Sequence, residues 1–395
     1  MKKIIATGLL GLSTSLMAMY GEQSYVYKDA RILGMGGANV AVGGYSTSIF
    51  SNPAGLKSLK KEDGFIVELL GLQIGATEQF QDFSKDLGDA LDEDDDAKKT
   101  EELIGVLQKY NGEHFHANVS NYTSLSKNSD MFAWSIGILA GADLNYMTHS
   151  DGSVVGPSLE TSSRGYGGLV LGAAKDYSTR YGTIDVGVSG KYIVQKSYEG
   201  QIPLIDLIDK DSSELQTKYE KESSGFAVDV GVVYHPAPNN YWHPAVGLSV
   251  LNIGSIDMDD QYGKQAMSVN LGASITPEVS FLDKLVVAVD YVDMFNANEA
   301  RYYKYVGGVG DTVAVDVEDS ELMKRVRFGA MAQVIDSKYF ALALSGGMYE
   351  GAWSAGVDMA LTILKLSLTS YEEDLGYGSF ELTDRRYALQ LGLGW

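Results

Sequence analysis

Apolar and polar residues alternate with a period of two along most of this chain. At the C-terminal end, Tyr387, Leu389, Leu391, Leu393 and Trp395 fall on one side, and Arg386, Ala388, Gln390, Gly392 and Gly394 on the other. Ile184, Val186, Val188, Tyr192 and Val194 repeat the pattern, as do Phe226, Val228, Val230, Val232 and Tyr234. So do Met267, Val269, Leu271, Ala273 and Ile275, then Val326, Phe328, Ala330, Ala332 and Val334, and finally Trp353, Ala355, Val357 and Met359. Strict alternation makes a strand with one apolar and one polar face. Every charge in these segments lies on the polar parity. A bilayer enforces that segregation, because Arg or Lys facing lipid near the midplane costs roughly 2–4 kcal/mol.

The alternation predicts strands near 65–76, 113–122, 131–141, 166–176, 183–194, 225–235, 243–252, 266–276, 284–292, 324–334, 338–348, 353–361, 362–371 and 386–395. About fourteen strands, an even number, suit a single-chain transmembrane barrel. Connections alternate between short ones (123–130, 177–182, 236–242, 277–283, 335–337) and longer ones (77–112, 142–165, 195–224, 253–265, 293–323, 372–385). Short periplasmic turns opposite long extracellular loops are the outer-membrane pattern. The short connection at 349–352 departs from it. In the acidic loop 77–112, Leu103, Ile104 and Leu107 predict a helix over 97–110. The fold class expected is an all-β transmembrane antiparallel barrel over residues 64–395.

Residues 1–18 read as a signal peptide: Lys2 and Lys3, then an apolar run from Ile4 to Met17, ending at Ala18. The run is too short for a membrane-spanning helix. Mean hydropathy of −0.07 suits a barrel whose polar lumen dilutes the lipid-facing signal. A formal charge of −21 argues against nucleic acid as a partner. The absence of cysteine excludes disulfides and thiolate chemistry. Abundant glycine fits tight packing and bends in a curved sheet.

Residues 19–63 lack alternation. They contain Gly34, Met35, Gly36, Gly37 and Ala38, and then Asn52, Pro53, Ala54 and Gly55. This pair of motifs ahead of about fourteen strands resembles the FadL-like outer-membrane superfamily, which includes fatty acid and aromatic hydrocarbon transporters and PorV-type proteins. The acidic insert after Asn52-Pro53-Ala54 makes the branch of conjugal transfer TraF-like proteins the nearest look-alike. The resemblance implies a barrel in the outer membrane of a Gram-negative bacterium, with the N-terminal segment folded inward as a plug. It implies capture and passage of hydrophobic small molecules, or alternatively a non-transporting scaffold for a secretion or conjugation apparatus. The expected partners are outer-membrane lipid, a hydrophobic ligand, and the barrel-assembly machinery through the C-terminal strand ending at Trp395.

Asp185, Lys191, Asp229, Lys284, Asp290, Arg325, Arg327, Asp358, Lys365 and Arg386 lie on polar parities and are the expected lumen charges, which need partners when buried. Gly34-Met35-Gly36-Gly37 is no dinucleotide turn, because Asn39 replaces the third glycine and no βαβ unit follows. Asp92–Asp96 lacks the glycine and closing Glu of a calcium loop. His114 and His116 share a strand face without a third ligand, so they read as polar lumen residues. No catalytic grouping, metal site or cofactor motif emerges, and the substrate-binding residues are not legible.

Overall fold

The computed structural model describes residues 25–150, 155–210, 212–236, 239–305, 312–376 and 382–394. The expected signal peptide and Trp395 lie outside these residues. Strands β1 (Phe65–Thr77), β2 (His114–Asn128), β3 (Ala133–His149), β4 (Ser158–Thr179), β5 (Gly182–Pro203), β6 (Glu220–His235), β7 (Ala245–Ile253), β8 (Ser268–Ile275) and β9 (Lys284–Tyr291) run antiparallel in order. A separate hairpin of β10 (Glu299–Tyr305) and β11 (Thr312–Glu318) follows. The wall resumes with β12 (Val326–Asp336), β13 (Phe340–Tyr349), β14 (Ala352–Leu361), β15 (Leu364–Asp374) and β16 (Thr383–Gly394). β16 pairs with β1, Ile74 opposite Leu389 and Thr77 opposite Arg386, so fourteen strands close into one barrel without a free edge.

The parity sorts as the alternation predicts. Ile138, Leu171, Val188, Tyr192, Phe226, Phe328, Trp353, Leu368 and Leu389 point outward and are exposed, while Gln73, Ser135, Ser189, Asp229, Asp290 and Arg327 are buried within. No helix among the described residues is long and apolar enough to cross a membrane, so the strands alone carry the apolar band. Glu350-Gly351 and Thr362-Ile363 are two-residue turns, with positive φ at Glu350, Gly351 and Thr362. Such turns match the twist of paired strands, which is how the connection at 349–352 can be short.

Two expectations need correction. Residues 142–165 and 195–224 are not simply loops: β3, β4, β5 and β6 run on through most of them, pairing Met147 with Glu160 and Ser158 with Pro203. Alternation fails over Ser158–Arg164 and Gly200–Pro203 because protein, not lipid, covers both faces there. The inward face meets the 254–267 loop and the β10–β11 hairpin, through Gln195 to the Tyr262 carbonyl at 2.6 Å and Arg301 to Glu199 at 2.8 Å. The outward face is covered by helices. After α1 (Ala30–Gly34) of the lumen segment, the helix predicted over 97–110 is present as α3 (Asp96–Lys109), and a second helix, α2 (Phe80–Leu91), precedes it. α4 (Leu204–Asp209) and α5 (Ser212–Tyr219) follow β5. Phe83 of α2 stacks on Phe115 of β2 with ring centroids 4.0 Å apart, in one cluster with Leu103, Val106, Leu159, Ile202 and Leu207. Lastly, the connection 293–323 contains the β10–β11 hairpin rather than loop alone.

Candidate functional site

Residues 25–59 lie inside the barrel, against the lumen-facing parity of strands all round the wall, and Lys60, Lys61 and Glu62 are exposed at its short-turn end. The segment has little regular structure: α1 (Ala30–Gly34) and three 3-10 turns, Ser46–Phe50, Pro53–Ser58 and Lys61–Asp63. Irregular backbone of this kind must find its hydrogen bonds locally or from the wall. Gln390 of β16 accepts from Ala30 N at 3.1 Å, and Thr369 of β15 donates to the Ala30 carbonyl at 2.7 Å. Ser354 of β14 accepts from Gly36 N at 3.0 Å. Asp290 of β9 accepts from the backbone of Asn39 at 2.5 Å and of Val40 at 2.8 Å. Ser274 of β8 donates to the Ala41 carbonyl, and Asn52 donates to the carbonyls of Val40 at 2.7 Å and Val232 of β6 at 3.2 Å. Near the short-turn end, Lys57 donates to Asn128 and Ser129 of the β2–β3 hairpin and pairs with Asp176 of β4 at 3.0 Å.

The motif residues sit where this segment touches the wall most closely. Gly36 lies against the backbone of Phe328 and Met348, and Gly37 against the Tyr349 ring; both have positive φ. Gly34 abuts Gly356. Met35 packs with Val286, Ala288, Met331 and Ala343. Asn52 caps the turn begun by Pro53, accepting from Ala54 N at 3.1 Å, and Pro53 and Ala54 pack over Gly187 of β5. Asp29 caps α1 and is held by Arg31 and by the Thr47 hydroxyl at 2.7 Å. Burial would raise the Asp29 carboxyl, but Arg31 and Thr47 keep its pKa below the usual value.

The charged wall residues form separate groups. Lys191 pairs with Asp229 at 3.0 Å, Asp185 with His235 at 3.2 Å, and Arg327 with Glu350 at 2.8 Å while stacking on Tyr349. Arg386 bridges Asp384 at 2.9 Å and Glu373 at 3.7 Å, and Lys28 of the lumen segment also reaches Glu373. Arg325 donates to the carbonyls of Asp319 and Glu321. Lys365 reaches Glu68 at 3.5 Å. Asp358 is half-buried and Lys284 exposed near the short-turn end. His114 bonds Asp384 and His116 bonds Asn145 at 2.7 Å. Among the described residues, no group of His, Cys, Asp or Glu side chains is arranged to hold a metal.

A cavity of about 150 Å³ lies between the lumen segment and strands β7, β8 and β9. Tyr27, Ile32, Leu33, Val40, Phe50, Leu251 and Val292 give it apolar walls, while Asn39, Asn252, Asn270 and Asp290 add polar atoms. None of these residues stood out in sequence as a binding residue. The available signal was indirect: Asn39 closes the glycine motif, and Asp290, a charge on the polar parity of its strand, meets it only through the fold.

A family profile described as "F plasmid transfer operon, TraF, protein" matches residues 49–346, more than half of the chain. No curated protein matches in sequence. The toluene transporter TodX of Pseudomonas putida has a similar solved structure, with a TM-score of 0.53 at 11% identity, covering 95% of this chain and 99% of that one. The toluene transporter TbuX of Ralstonia pickettii is similar with a TM-score of 0.51 at 12% identity, covering 93% and 98%. At such identities the likeness is one of fold.

Proposed function

The chain belongs to the F plasmid transfer operon TraF protein family, and on that premise we propose that it binds small hydrophobic molecules in its lumen, with residues 25–63 serving as the plug that controls passage. The observation that carries this reading is the cavity of about 150 Å³ between segment and wall. A cavity of roughly this volume accommodates a single benzene ring. Solved toluene transporters share the fold, which agrees with a ligand of that size. The outward apolar parity and the contrast between short turns and long connections support a place in the outer membrane of a Gram-negative bacterium, long connections outside.

In this mechanism a ligand enters from the long-connection end and settles against Ile32, Leu33 and Leu251. The hydrogen bonds from Asp290, Gln390 and Thr369 to the plug backbone would have to break for it to go further. A non-transporting scaffold is the second reading. The buried pairs Lys191–Asp229 and Arg327–Glu350 favour it, because they cross-brace the lumen wall.

The test is extraction of the purified barrel followed by mass spectrometry, together with binding of single-ring compounds by equilibrium dialysis. A co-purifying apolar molecule, displaced by a Leu251→Trp substitution that fills the cavity, is the expected result. A folded barrel that neither carries nor binds any ring-sized compound would leave the scaffold reading in its place.

A further inference from the structure

Among the described residues, cations that lie over aromatic rings fall into two groups. Arg31 on Tyr45 also pairs with Asp29, Arg327 on Tyr349 with Glu350, and Arg385 on Trp353 with Glu372. Lys28, Lys109, Arg164 and Lys218 have a ring and a carboxylate in the same way. The exceptions are Lys127 over Phe65 at 4.3 Å from the ring centroid, Lys175 over Tyr177 at 5.3 Å, Arg180 over Tyr181 at 4.7 Å and Lys338 over Tyr339 at 5.7 Å. None of these has an acidic partner among the described residues, and all lie at the short-turn end of the wall.

Three acids of that end are taken by the lumen segment instead. Lys57 pairs with Asp176 at 3.0 Å, Lys61 with Asp130 at 3.1 Å and Lys60 with Asp336 at 3.3 Å. Lys127 and Lys175 belong to the outward parity, Lys127 opposite Phe65 and Trp134, Lys175 opposite Val186. At the other rim the outward cations are matched, Lys196 by Glu220 and Glu222 and Arg385 by Glu372. Uncompensated positive charge thus collects at one height, in a chain whose formal charge is −21. The aromatic rings beside it mark the level where hydrocarbon gives way to headgroups.

We propose that the β1–β5 sector of this rim binds the phosphates of anionic glycerophospholipids, in the leaflet on the short-turn side, through Lys127, Lys175 and Arg180. Long basic side chains lay their stems along apolar surface and carry the charge out to the phosphate level. The acyl chains run along Ile136, Leu171 and Val188, which are exposed on the same outer face. A phosphodiester without a cation of its own supplies the charge that this rim lacks. A zwitterionic headgroup brings an ammonium that the same residues repel. The inference rests on the membrane placement above and is independent of any ligand in the lumen.

The test uses the full-chain barrel in nanodiscs of phosphatidylethanolamine and phosphatidylglycerol in equal parts. Lipids still bound after release into detergent are counted by native mass spectrometry. A basic group near an anionic surface is worth about fivefold in binding, so phosphatidylglycerol should exceed phosphatidylethanolamine by at least that factor. Lys127→Gln, Lys175→Gln and Arg180→Gln together should bring the two lipids to parity. Lys196→Gln with Arg385→Gln, at the other rim, should leave the preference unchanged. Equal retention of both lipids by the unsubstituted barrel would overturn the proposal, as would a preference that the triple substitution leaves intact. Should the triple variant fail to fold, Lys127→Gln alone decides, through a severalfold drop or none. Binding of soluble peptidoglycan fragments through the same three residues, with no lipid preference, would assign the rim to the cell wall instead. A folded chain that does not enter nanodiscs would remove the membrane placement itself, and the proposal with it.

Discussion

Gly231 of β6 faces Asn52 of the lumen segment with no room for a side chain: the Asn52 carboxamide oxygen occupies the space that a β-carbon at position 231 would need. The neighbouring Pro53 ring stands close behind it. Gly231 pairs across the sheet with Gly187, over which Pro53 and Ala54 lie. Wall and segment thus meet backbone to backbone, a contact that only glycine permits. A Gly231→Ala substitution should push the Asn52-Pro53 turn off the wall while the strand keeps its pairing. Single-channel recordings in planar bilayers should show larger or noisier conductance than the unsubstituted barrel. Identical traces would mean the segment does not limit the pore at this level.

Phe83 and Phe115 fix the α2–α3 hairpin to the outer face of the tall wall. Removing the ring by Phe83→Ala should cost about 3–5 kcal/mol, more than a two-helix insert can supply alone. The barrel has its own closed hydrogen-bond network, so the loss should stay local. Trypsin should then cut at Lys98 and Lys99 much faster, while the protein still runs faster unboiled than boiled on a denaturing gel. Unchanged cleavage would show that other members of the cluster hold the hairpin.

Most of the wall was legible because lipid imposes parity: a slip of one residue would turn every charge outward. The strands β7 to β9 and β12 to β16 accordingly begin and end within a few residues of their predicted limits. The tall part of β3 to β6 was illegible, since Ser158 to Arg164 is buried by protein on both faces and carries no alternation. The paired glycine and Asn-Pro motifs pointed to the family that the profile match identifies. The cavity was hidden for a different reason. Asn39, Asn252 and Asp290 come together only through the path of the segment across β7, β8 and β9. Glycine abundance was read as curvature, whereas Gly187 and Gly247 make room for another stretch of backbone and Gly231 for the Asn52 side chain.

Glu350, in the β13–β14 turn, is pushed up to about 7 from 4.5 by burial and by the nearby Glu373, against the pull of Arg327 and Lys28. The folded chain therefore holds a proton that the unfolded chain releases between about pH 4.5 and 7. Stability from this group is present below that window and is lost as pH rises through it, with a slope on the order of 1 kcal/mol per pH unit. Guanidinium unfolding of the detergent-solubilised barrel at pH 5 and 7.5 should show the difference. Glu350→Gln should flatten it, since the amide has no proton to lose in this range while its oxygen can still accept from Arg327. A slope that survives the substitution would assign the titration to another group.

Deleting residues 31–56 is the most direct test of the plug. The wall would lose the partners of Asp290 and Ser354, but these face the lumen and would be met by water once the segment is gone. The β1–β16 closure and the outward apolar parity do not involve the deleted residues. The truncated chain should therefore still insert and keep its heat-dependent gel mobility. With its interior emptied, it should conduct several-fold more in planar bilayers and let small solutes leak into cells. A correctly inserted barrel with unchanged conductance would mean that residues 31–56 do not obstruct passage, and the gating role proposed for them would fall.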